Sequence, residues 1–86
     1  MDQATVKEIK ALTRVNAHGD AYALAARALG LTEIAEQFDS INRQHMTLGY
    51  LTWELNHERY AVYEKLMAHA KSHMSKTDYQ KFHMLF

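Results

Sequence analysis

Apolar residues recur along this chain with helical spacing almost throughout, and nowhere with the sustained alternation of a strand. From about Ala4 to Ala17, Val6, Ile9, Leu12 and Val15 fall on one arc of a 3.6-residue helix while Lys7, Lys10 and Arg14 fall on the other. Asn16-Ala17-His18-Gly19 reads as a stop, Asp20 as the cap of a second helix, and Gly30 as the glycine that ends that helix after Leu29. The second segment is apolar nearly all round, with Arg27 its one charge after the cap, which predicts a buried, central helix. Its alanines, Ala21, Ala23, Ala25, Ala26 and Ala28, would let neighbouring helices approach closely.

With Thr32 read as a cap, Ile34, Phe38, Ile41, His45, Leu48, Thr52, Leu55, Arg59, Val62 and Leu66 follow a four-three spacing whose phase survives across Gly49. One helix from about Thr32 to Met74, or two that break near Thr47-Leu48-Gly49, would satisfy it. The break is favoured, because uncapped helices beyond about 25 residues are uncommon in small globular domains. The last segment opens with Ser75 and a capping-box pattern, Thr77-Asp78-Tyr79-Gln80, and its Tyr79, Phe82 and Phe86 share a face that should dock back on the body. The pattern predicts one all-α domain over residues 1–86: a compact bundle of four to five short helices, one of them long or kinked at Gly49.

Length sharpens that picture. A chain of 86 residues has room for one core and buries only about 60 to 65% of its unfolded surface, so good packing or a second subunit is needed. The absence of cysteine excludes disulfides, thiolate catalysis and cysteine-based metal motifs. No basic segment leads into an apolar run and no eighteen apolar residues stand together, so the expected location is cytoplasmic, without membrane contact. Ten Lys and Arg offset ten Asp and Glu, which leaves no global field to hold nucleic acid. The middle third is mildly acidic and the two ends mildly basic.

Candidate chemistry is thin. His69 and His73 stand four apart, the spacing that places two imidazoles on one helical face for a metal, but no third ligand on that helix joins them; no cofactor is expected. Glu54-Leu55-Asn56-His57 matches half of a di-iron carboxylate motif, whose second half is missing. Ser40, Ser72 and Ser75 lack the sharp glycine-flanked turn of a nucleophile, and no phosphate-cradling glycine loop occurs. Leu24 to Ile34 looks like the opening of a helix-turn-helix, yet Glu36 stands where that motif packs an apolar side chain, and Glu33, Glu36 and Asp39 would repel phosphate. The lysines and arginines of the first and last segments read as solvated faces.

The remaining signal is apolar surface. Leu55, Val62 and Leu66 form one stripe between Tyr50 and Met74, while Tyr50, Trp53, Tyr60, Tyr63, Met67, Ala70 and Met74 form another, rotated by about a hundred degrees. One stripe can pack on the N-terminal helices. The other, rich in Trp, Tyr and Met, is either covered by the last helix or used as an interface. The expected function is therefore a non-enzymatic protein-interaction or regulatory module, a homodimer joined through Tyr50, Trp53, Tyr60, Tyr63 and Met67. A small nucleic-acid-binding transcriptional regulator and a histidine-dependent metal protein are the alternatives.

Overall fold

Asp2 opens the first helix, its carboxylate accepting the Thr5 N–H at 2.8 Å, and the computed structural model, which describes all 86 residues, then runs through five helices with no strand. Helix α1 (Gln3–Arg14) ends in a Schellman turn: Asn16 adopts φ 61°, its N–H donates to the Thr13 carbonyl at 3.1 Å, and the Ala17 N–H donates to that of Leu12 at 2.9 Å. Asparagine thus fills the left-handed position that glycine usually takes.

Helix α2 (His18–Ala28) starts two residues before the expected cap, so Asp20 lies inside its first turn, where a negative charge still favours the dipole. Gly19 is consequently not part of a break. It is buried against α3, and a Cβ there would overlap the Asn42 carboxamide oxygen. Gly30 does stop α2, with φ 76° and bonds from the Gly30 N–H to Arg27 and from the Leu31 N–H to Ala26, both 2.9 Å.

Helix α3 (Thr32–Leu48) begins with Thr32 as a helical residue; Leu31 occupies the cap position and supplies no side-chain bond. Gly49, at φ 80°, ends it, so the long apolar phase is carried by two helices. Thr52 restarts the chain by accepting the Leu55 N–H at 3.1 Å, which begins α4 (Trp53–His73). The cap of α5 (Lys76–His83) is Ser75, accepting the Asp78 N–H at 3.1 Å; the Thr77 pattern already lies within the helix.

The alanine-rich α2 is central, as its composition predicts, and packs against α1, α3 and α4. Ala21, Ala25 and Ala26 are wholly buried with Ile9 of α1, Ala35 and Phe38 of α3, and Leu66 and Ala70 of α4. Small side chains on α2 leave room for Phe38 and Leu66 between the helix axes. Arg27 and Asp39 form an ion pair that ties the exposed edges of α2 and α3 together. Phe82 seats α5 on α4, and Phe86 reaches back to Tyr22, ring centroids 5.4 Å apart.

Candidate interaction surface

The second stripe of α4 divides along its length. Toward the C-terminal end it is covered: Met67 is only 7% exposed and belongs to the core with Ala70 and Phe82, which removes it from the expected interface. The reason is α5, whose apolar face folds back over this half of α4. Tyr63 is half-buried, its ring 5.0 Å from Tyr22. Toward the N-terminal end nothing covers the stripe, and Trp53 is 75%, Tyr60 60% and Tyr50 62% exposed.

Two apolar residues outside the expected set are also exposed, shortly before this segment in the chain. Met46, 85% exposed, and Leu48 close α3 just before the turn that carries Tyr50. Their signal was present as an apolar pair at the end of a helix, but the four-three spacing assigned Leu48 to the core. Met46 lines the polar flank of Arg59, whereas Trp53 and Tyr60 line the aromatic one.

The rings are ordered among themselves. Trp53 stacks on His57 at 5.4 Å with planes 7° apart, and Tyr60 stacks on Tyr63 at 6.3 Å. Tyr63 continues through Tyr22 to the wholly buried Phe38, 5.4 Å from Tyr22, so Tyr60 is supported from the core while Trp53 rests on the exposed His57. Trp53, His57, Tyr60 and Tyr63 line a shallow cleft of about 440 Å³ with Asn56, Tyr22 and Arg59. A second cleft, of about 280 Å³, lies on the other flank of Arg59 and is polar, with His18, Asp20, Asn42 and His45 in its walls. A wider depression of about 810 Å³ between α1 and α5 has Val6, Met74 and Leu85 in its walls, but its one aromatic, Phe82, is buried and offers no projecting anchor.

Burial raises Tyr22 above the ordinary tyrosine value, with Arg59 offsetting part of the effect. Burial likewise raises Tyr63, and the neighbouring phenols of Tyr22, Tyr79 and Tyr60 add to it. Both phenols bind their protons more tightly folded than unfolded. The stability they contribute is therefore complete below about pH 10 and lost as pH rises through the raised folded values. In an ultraviolet tyrosinate titration, a lagging fraction should ionise together with alkaline loss of helicity, and Tyr22→Phe should shrink that fraction. Five tyrosines titrating in one step with the helices intact would contradict the packing described.

The other sequence candidates lie apart from this surface. His69 and His73 stack at 3.9 Å near the end of α4, and the His73 Nδ1 sits 2.9 Å from the His69 carbonyl oxygen and 3.0 Å from the Ser72 hydroxyl. No group of three or more His, Cys, Asp or Glu side chains gathers there or elsewhere in a geometry that could hold a metal. His57 is engaged with Trp53. In the helix-turn-helix-like stretch Glu36 is exposed and Asp39 is paired with Arg27, while Ala35 and Phe38 point inward. No helix is long and apolar enough to cross a membrane.

No protein-family model matches the chain, and neither curated proteins nor solved structures provide a match.

Proposed function

We propose that this chain is a non-enzymatic protein-interaction module that self-associates through the α3–α4 corner and the first two turns of α4. The observation that carries the reading is the exposure of Trp53, Tyr60, Tyr50 and Met46 in one stretch of chain, with Tyr60 anchored to the core through Tyr63 and Tyr22. Trp, Tyr and Met are the types enriched in the buried centres of interfaces, and rigid aromatics lose little entropy when they dock. A net charge of zero also leaves no long-range repulsion between copies.

Sedimentation equilibrium tests the reading. The wild type should be a dimer at micromolar concentration, and a Trp53→Glu, Tyr60→Glu variant should dissociate roughly 100-fold more readily, since two buried anchors are replaced by charges. Both side chains are exposed in the single chain, so circular dichroism should give the variant the same helix content as the wild type. A wild type that stays monomeric at the highest soluble concentration would overturn the reading.

A further inference from the structure

Helices α1 and α5 do not pack on one another, and the space of about 810 Å³ between them is walled mainly by hydrocarbon. Val6, Met74, Phe82 and Leu85 are its more buried apolar residues, and Met1 and Met84 its more exposed ones. The other lining side chains are Lys10, Lys81 and Asp78. Helical spacing sets Lys7 and Arg14 on the same flank of α1 as Lys10, at i−3 and i+4, and turns Glu8 to the opposite flank. Asp78 is thus one acid among four cations, and none of the five is engaged in an ion pair, since that of the molecule joins Arg27 to Asp39.

Such walls suit a molecule whose buried part is plain hydrocarbon and whose exposed end is an anion. No uncharged polar side chain lines the groove to read a sugar, a base or a peptide amide. Three of its six apolar residues are methionines, whose unbranched chains adapt to the shape of an alkyl tail. The lysine stems extend the apolar wall while their ammonium groups stay in water. Its volume falls within the roughly 300 to 1,000 Å³ of small-molecule sites. It is smaller than the roughly 1,300 Å³ that three helical turns about 10 Å across would fill, which favours a chain over a partner helix. We propose that this groove binds a single-chain anionic amphiphile, its tail along Val6, Met74 and Leu85 and its carboxylate or phosphate head at Lys10 and Lys81. Asp78 disfavours a head placed at the start of α5. The groove shares no lining residue with the aromatic cleft, so the proposal stands apart from self-association.

Methionine methyl resonances test it site by site, because Met74 and Met84 line the groove while Met46 lies at the α3–α4 corner. Sodium dodecanoate, kept below its micellar concentration, should shift the Met74 and Met84 signals along a one-site, submillimolar curve and leave Met46 in place. Dodecyl maltoside, with the same tail and an uncharged head, should bind at least about tenfold more weakly. A Lys10→Glu, Lys81→Glu variant should lose at least about tenfold for dodecanoate and keep its affinity for the maltoside, since two attractions become two repulsions. Both lysines are exposed, so circular dichroism should show its helices unchanged. Dodecyl phosphate run beside dodecanoate distinguishes the two heads, and the tighter of them should show the larger loss in the variant. Equal binding of dodecanoate and the maltoside, equal shifts at Met46, or a response only to micelles or to phosphatidylglycerol vesicles would overturn the proposal.

Discussion

Phe38→Ala is expected to lower stability by about 3 to 5 kcal/mol, the range for truncating a fully buried aromatic. Phe38 is wholly buried on α3, and Ala21, Ala25 and Ala35 of the same core have only a methyl group each, too short to reach into the space it would leave. Collapse into the cavity would need whole helices to move, which places the cost toward the upper end. A domain of 86 residues has roughly 4 to 13 kcal/mol of total stability, so the variant should lose a large fraction of it, with a melting midpoint lower by about 15 to 30 °C. Tyr22 packs 5.4 Å from the Phe38 ring and 5.0 Å from Tyr63, so the loss should also loosen the support beneath Tyr60. Thermal unfolding followed by circular dichroism measures the first effect, and sedimentation of the still-folded variant in the cold measures the second. A drop in midpoint below about 5 °C would mean that Phe38 is less enclosed than described.

The second large effect is expected from Gly19→Leu. Glycine costs a helix up to about 1 kcal/mol relative to alanine, which by itself would favour a bulkier residue in the first turn of α2. The contact with α3 reverses that expectation, because a Cβ at Gly19 lies 3.0 Å from the Asn42 Cγ and overlaps its oxygen. Alanine can be accommodated if the Asn42 side chain turns away, at the cost of its 3.5 Å bond to Asp20, which makes Gly19→Ala close to neutral. Leucine has three more carbons to place and must push α3 from α2, so a loss of about 1 to 3 kcal/mol is expected. Chemical denaturation of the two variants side by side checks the ordering, and equal midpoints for alanine and leucine would show that the helices are not in close approach.

Most of the architecture was legible because the apolar phase of each helix is strong. The alanine content of α2 predicts its central place, and the Schellman turn at Gly30 follows from a glycine after an apolar run. Where the reading slipped, two residues of similar meaning had exchanged roles. Asn16 adopts the left-handed turn, and Gly19, three residues on, serves helix contact; both satisfy a stop signal in sequence, and only the partner helix distinguishes them. The caps slipped for a related reason. Ser75 and Thr77 both offer a hydroxyl just ahead of the face made by Tyr79 and Phe82, and the structure bonds only Ser75 to a free N–H, that of Asp78.

The surface was half legible. A heptad-spaced series of Trp53, Tyr60, Met67 and Met74 gives no sign of where α5 will lie, so Met67 looked the same as Trp53 although the fold buries one and exposes the other. His45 and Arg59 carried an unread clue. Both interrupt the core-facing four-three spacing with polar groups, and both prove to be half-buried in the clefts where that stripe runs out from between the helices.

The order in which the helices pack has a kinetic side. α1 meets α2, α2 meets α3, α3 meets α4 and α4 meets α5, and the one pairing that skips a helix joins α2 to α4. Nearly every contact therefore closes a short loop, and chains dominated by local contacts cross their folding barrier in microseconds to milliseconds. No proline is present to impose a slow isomerisation. If copies pair through the α3–α4 corner, the hairpin of α3 and α4 can assemble before α5 arrives, which leaves Met67 briefly uncovered. Encounters between nascent chains would then meet a larger apolar stripe than the finished protein displays, and the docking of α5 is the step that trims it.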